Sequence, residues 1–165
     1  CAQHRFETTI LPRAMAEKWP SSPDFGTLWQ RILAMRGVLL DVAKAPRTSA
    51  YFWACKAHYE GKGISWAHAG SAMNQFSDIQ RQAEFGAGYY GSIGLEIIEK
   101  IVAFLFPDHN NRPQSHTEIP YNFFLRETLI PEAVVRLVQD DFSVSVSRAQ
   151  EIIKASHTFG MFLHP

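Results

Sequence analysis

Two pairs of residues have the spacing of metal ligands. Cys1 and His4 stand three apart, and so do Cys55 and His58. A C-x-x-H step lets two side chains on one helical turn reach the same Zn²⁺, and together the four would make a Cys₂His₂ set. Cys55, however, lies in an apolar helical stretch, where a free cysteine usually serves as a small core residue. Cys1 and His4 remain as a candidate pair of metal ligands, and no cofactor is expected within the chain itself. The run Gly86-Ala87-Gly88-Tyr89-Tyr90-Gly91 satisfies G-x-G-x-x-G. A dinucleotide fingerprint needs a buried strand before its first glycine. Here Gln80-Arg81-Gln82-Ala83-Glu84-Phe85 precedes it, polar and unlike a strand, so the nucleotide reading is rejected. Nothing assembles a nucleophile: there is no G-x-S-x-G elbow, and no pattern links a serine or Cys55 to a histidine and an orienting acid.

The remaining candidates concern binding. Tyr89 and Tyr90 occupy a glycine-rich turn, where they either pack against neighbouring helices or form an exposed pair that stacks on a base or anchors a partner. As candidate contact residues they come first, because a Gly-rich aromatic turn is hard to explain by packing alone. Arg31, Arg36, Lys44 and Arg47 gather around one long helix, as a phosphate-facing strip or a solvated face. Asp140 and Asp141 adjoin near a helix C-terminus, where negative charge is unfavourable, so solvated side chains or a local turn are expected. Glu132 and Arg136, four residues apart, read first as a surface pair and second as a buried pair fixing the kink at Pro131. His109 and His116 fall in a polar loop.

These residues need a frame, and composition bounds it. The 165 residues suit one domain, 46% of them apolar and 13% aromatic, enough for a core without staples. Sixteen basic residues balance sixteen acidic ones, which argues against bulk attachment to nucleic acid or an anionic membrane. No apolar run is long enough to cross a bilayer, and two cysteines make no disulfide scaffold. The opening residues, without a methionine, read as part of a longer protein.

Apolar spacing is helical almost throughout. Phe6, Ile10, Met15 and Trp19 suggest an entry helix bent at Pro12. Ser22 and Pro23 read as a start for one long helix carrying Leu28, Ile32, Met35, Leu39 and Val42 and ending near Pro46. Further helices are expected from Ser49 to Tyr59, closed by Gly61-Lys62-Gly63, and from about Leu95 to Leu105. Another runs from Tyr121, kinked or restarted at Pro131, and a last one from Ser147, capped by Ser147 and Gln150, to Gly160. Met73, Phe76 and Ile79 could share a helix face, 107–118 reads as an exposed loop, and Phe142 to Val146 shows a short strand-like alternation. The expectation is an all-α single domain over 1–165, of about six to eight helices.

Four segments, read in order, resemble one family: Cys1-Ala2-Gln3-His4-Arg5-Phe6-Glu7 with Leu11-Pro12 and Lys18-Trp19-Pro20; Gly88-Tyr89-Tyr90-Gly91 with Gly94; Leu129-Ile130-Pro131-Glu132-Ala133-Val134-Val135-Arg136-Leu137-Val138; and Ser156-His157-Thr158-Phe159-Gly160. They are similar to the C-terminal domain of the fungal restriction-of-telomere-capping proteins. The resemblance implies a domain with no assigned enzymatic activity, linked genetically to telomere-cap control, in nuclear and cytoplasmic proteins. It also implies a C-x-x-C pair upstream, which with Cys1 and His4 would complete a structural zinc site in the intact protein. No catalytic residues come with it. The expected function is a non-catalytic nuclear protein-interaction module linked to telomere or chromatin regulation, with a protein partner and no membrane. The runner-up is a nucleic-acid-binding helical domain using Arg31, Arg36 and Arg47; a helical enzyme of unrecognised type ranks below it. Oligomeric state has no signature in the sequence.

Overall fold

The computed structural model describes residues 2–62, 86–107 and 119–165. The expectations for 64–84 and for the loop after Pro107 lie outside these residues. Among the described residues there is no strand, and seven helices make the fold.

Helix α1 (residues 2–17) and helix α6 (residues 121–142) share a device that sequence periodicity does not show. In α1, Ala2–Arg5 is followed by a π-turn, Phe6–Ile10, and then Leu11–Glu17. In α6, Tyr121–Phe124 is followed by a π-turn, Leu125–Leu129, and then Ile130–Phe142. The amide of Leu11 reaches back five residues to the Phe6 carbonyl, and that of Ile130 to the Leu125 carbonyl. Proline stands next in both helices, Pro12 and Pro131. A proline supplies no N–H and its ring crowds the carbonyl four residues back. Widening the turn before it relieves both conflicts, so each helix continues through its proline without a restart.

The long helix expected over residues 23–45 is two. A single turn, Phe25–Thr27, is capped by Asp24, whose side chain accepts from the Gly26 amide at 3.1 Å. Then come α2 (Leu28–Ala34) and α3 (Arg36–Lys44), separated at Met35 (φ −90°, ψ 5°) beside the poor helix former Gly37. The apolar period nonetheless runs through the break, and Leu28, Ile32, Leu39 and Val42 are buried. Helix α4 (Ala50–Lys62) starts where Ser49 Oγ accepts from the Phe52 amide at 3.3 Å, the expected cap, and runs through Gly61. Helix α5 (Gly91–Leu105) follows a 3₁₀ turn, Gly88–Tyr90. Helix α7 (Val146–Leu163) is capped by Ser145 in place of Ser147. Ser143, left-handed at φ 53°, ends α6 and leaves Ser145 extended, so the strand-like residues form a connection.

Helix α7 packs on α5, α6 and the 3₁₀ turn, α2 packs on α5, and α4 packs on the π-turn of α6. Ile152, Ile153 and Phe159 of α7 meet a core that includes Leu129, Leu137 and Val138 of α6, Ile98 and Val102 of α5, and Phe52. Burying each such side chain contributes about 1.5–3 kcal/mol. Phe6 in the π-turn of α1 stacks on Phe162 with ring centroids 3.9 Å apart, which fastens α1 to the end of α7.

The 3₁₀ turn and α7 approach each other closely. Gly88 and Gly91 have φ of +58° and +66°, a region that L side chains rarely adopt. A Cβ on Gly160 would lie 2.0 Å from the Gly88 carbonyl oxygen. Past Gly160 the helix continues, and the His164 carbonyl accepts from the amides of Ser92 (2.7 Å) and Ile93 (3.3 Å). These are donors that the first turn of α5 cannot satisfy itself.

Candidate functional site

This packing places a polar cluster where three elements meet. Arg31 comes from α2, Tyr89 and Tyr90 from the 3₁₀ turn, and Asp140 and Asp141 from the last turn of α6. Arg31 Nη2 donates to Asp141 Oδ1 at 2.7 Å, to Asp140 Oδ2 at 2.9 Å and to the Leu137 carbonyl at 3.1 Å, and Nη1 donates to Tyr90 Oη at 3.0 Å. Tyr90 donates to Asp141 Oδ2 at 2.6 Å, and Tyr89 donates to the same oxygen. Burial disfavours the Arg31 charge, but Tyr90 and the two aspartates outweigh it and hold the guanidinium protonated above its ordinary range. Burial, reinforced by the neighbouring Tyr90 and Asp141, raises the Tyr89 phenol well above its usual value. Burial and then Asp141 do the same for Tyr90.

The cluster corrects two expectations. Tyr89 and Tyr90 are 0% and 1% exposed and stack on each other at 4.8 Å, so they present no face to a base or a partner. Asp140 and Asp141 are not merely solvated: the positive guanidinium sits at the C-terminal carbonyls of α6 and offsets the unfavourable dipole there. The cluster is a joint, and its charges are spent on one another.

Exposed apolar side chains lie nearby on α2 and α5. Trp29 (41% exposed), Leu33 (45%) and Phe104 (72%) are large apolar side chains left on the surface. The rings of Trp29 and Phe104 are 5.5 Å apart. Trp29 and Leu33 stand four residues apart on α2, one position round from the buried Leu28 and Ile32. A second apolar stripe beside the core stripe is visible in the sequence; its exposure is not, because nothing local distinguishes a covered stripe from an open one.

The model of the RTC4-like domain matches residues 44–165. The chain belongs to the RTC4-like domain family. That places it with the restriction-of-telomere-capping proteins, as the resemblance implied, and a relation to telomere capping is what the family's name carries. No curated protein and no solved structure matches the chain. Three of the four motif segments fall inside the matched span, and the contacts explain two of them. Gly88 to Gly91 and Ser156 to Gly160 are the two faces of the glycine contact, with the Cβ position of Gly88 against Ser156 Oγ and Ile153. Arg31 and Trp29 precede the span, so the polar joint links the RTC4-like match to the helices before it.

Elsewhere in the chain the sequence candidates are dispersed. Arg36, Lys44 and Arg47 are exposed, but Arg31 is removed from any phosphate-facing strip by its aspartates. Cys1 lies outside the described residues, and His4 is exposed on α1. Cys55 is fully buried, and His58 Nδ1 lies 3.4 Å from Glu127 Oε2, both side chains buried. His4, Cys55 and His58 do not converge, and among the described residues no three His, Cys, Asp or Glu side chains are grouped to hold a metal. Glu132 and Arg136 are more than a surface pair: Glu132 accepts from Arg136 at 3.3 Å and from Ser49 Oγ at 2.6 Å, tying the cap of α4 to α6. Among the described residues no helix is long and apolar enough to cross a membrane.

Proposed function

We propose that this domain is a non-catalytic nuclear protein-interaction module that recruits its host protein to a telomere- or chromatin-linked assembly, with its partner seated on Trp29, Leu33 and Phe104. The exposed Trp29–Phe104 pair is the observation that carries this reading. Tryptophan dominates binding hot spots because a rigid ring buries much area at little entropic cost, and two exposed rings in contact, beside Leu33, offer a contiguous apolar anchor. The telomere relation carried by the family's name supports the telomere-linked, nuclear setting of this reading.

The test is recovery of partners from nuclei by the tagged intact protein, with and without nuclease, compared between wild type and Trp29→Ala or Phe104→Ala. Partners that survive nuclease and drop at least tenfold with either variant are the expected result. A second reading, direct nucleic-acid binding, has its own observation: Arg36, Lys44 and Arg47 are exposed and form no ion pair among the described residues. Release of every partner by nuclease, with sensitivity to Arg36→Ala and Arg47→Ala but not to Trp29→Ala, would put that reading first.

A further inference from the structure

An open cleft of about 240 Å³ lies where α5, α7 and the Gly-rich turn meet. Ala87, Leu95 and Met161 give it apolar surface, and Glu96, Glu99 and His157 give it a polar wall. The two glutamates differ. Glu96 takes Lys100 Nζ at 2.5 Å on the solvent side. Glu99 is half-buried and has neither a hydrogen bond nor an ion pair among the described residues. Arg126 acts on it only through space, being 3.8 Å from Glu127 and lying over the Phe123 ring.

That combination selects a ligand. A half-buried carboxylate without a counter-ion disfavours anions. A metal would need more ligands than converge here. A hydrocarbon alone would leave the carboxylate desolvated and unpaired. An alkyl stem with a terminal cation meets all three constraints, because long basic side chains lay their methylenes on apolar surface and keep the charge at a polar rim. We propose that this cleft is a binding site for a lysine or arginine side chain on a basic segment of a protein partner, its stem on Leu95 and Met161 and its charge at Glu99 and Glu96. Burial raises the Glu99 carboxyl above its ordinary value, a shift that an incoming cation reverses. Burial also lowers the His157 imidazole, which favours the neutral ring and leaves the wall negative. The proposal rests on the protein-interaction reading and names the chemistry of one part of the partner. Glu99 lies about 140° around α5 from Phe104 at ~100° per residue, so a partner crossing α5 would meet the aromatic pair on one flank and the cleft on the other.

Fluorescence polarisation with the 165-residue chain tests it, using a labelled decapeptide of alternating lysine and glycine and the same peptide with norleucine for lysine. The lysine peptide is expected to bind at least tenfold more tightly than its neutral counterpart. Glu99→Gln, nearly isosteric, is expected to weaken it about tenfold. Glu151→Gln, at an exposed α7 residue held by Arg148 at 2.8 Å, should leave it unchanged, with melting curves showing that both variants fold. Equal affinity for the two peptides, equal affinity of wild type and Glu99→Gln, or an equal loss in both variants overturns the cleft as a site. Any of these alongside partner recovery that still depends on Trp29 sinks the cleft and leaves the interaction reading standing. Peptide binding that depends on Glu99 alongside partner recovery indifferent to Trp29 does the reverse.

Discussion

The carboxylate of Asp141 accepts from three donors, the hydroxyls of Tyr89 and Tyr90 and the guanidinium of Arg31, and a pH dependence follows. Both phenols are raised, first by burial and then by their charged and polar neighbours. Burial pushes Tyr51 up to about 12 as well. The folded protein thus keeps protons that the unfolded chain releases above about pH 10. The stability these groups contribute is fully present below that pH and is lost as pH rises through the folded values. Denaturant midpoints measured from pH 8 to 12 should fall along this limb. Tyr89→Phe should cost about 1–3 kcal/mol at pH 8 by removing a donor from a partly buried carboxylate. It should also flatten the limb without abolishing it, since Tyr51 and Tyr90 remain. An alkaline slope identical to wild type would show that Tyr89 does not titrate on unfolding. The sequence singles out this turn, and Arg31 with it, but not their pairing. The donors and acceptors are 51 to 110 residues apart, and adjacency in the chain carries no trace of that.

Helices α2 to α7 are legible because their apolar residues repeat at three and four positions, and the period survives even the break at Met35. The joints are harder. A proline announces that the ordinary ladder fails, but whether the helix bends, ends or widens depends on what it packs against. At Pro12 and Pro131 flanking contacts hold the widened turns, Phe6 on Phe162 for α1 and the packing of α4 against the π-turn for α6. Gly160 misleads in the same way. A glycine late in an apolar period reads as a stop signal, yet here it clears space for the Gly88 carbonyl. The two roles separate on substitution. Alanine at a helix interior ordinarily stabilises by about 1 kcal/mol relative to glycine, whereas a Cβ that must come within 2.0 Å of a backbone oxygen forces the turn and α7 apart. Gly160→Ala should therefore destabilise by about 3 kcal/mol or more, read as a drop in melting temperature. An unchanged or higher melting temperature would mean that α7 slides at no cost and that the contact does not hold the turn.

At the scale of the whole molecule, charge balance separates the two proposed modes of binding. Sixteen basic and sixteen acidic residues leave no net field to concentrate a polyanion, and Arg31 is neutralised within the fold. The surface that remains includes the exposed Trp29–Phe104 pair and the cleft proposed to take one cation. Binding through such a surface is driven mainly by burial of apolar area, which gives a negative heat-capacity change and a weak dependence on salt. One ion pair at the cleft adds only a shallow slope. Nucleic-acid binding behaves differently: each phosphate neutralised releases counter-ions, and affinity falls steeply and linearly on logarithmic axes. Once a partner is in hand, calorimetry between 50 and 300 mM salt separates the two. The interaction reading expects affinity to change less than about tenfold over that range, with a clearly negative heat-capacity change. A loss of about a thousandfold, as several phosphate contacts would produce, would assign the surface of Arg36, Lys44 and Arg47 to nucleic acid. Trp29 and Phe104 would then be left as exposed residues without a role in recognition.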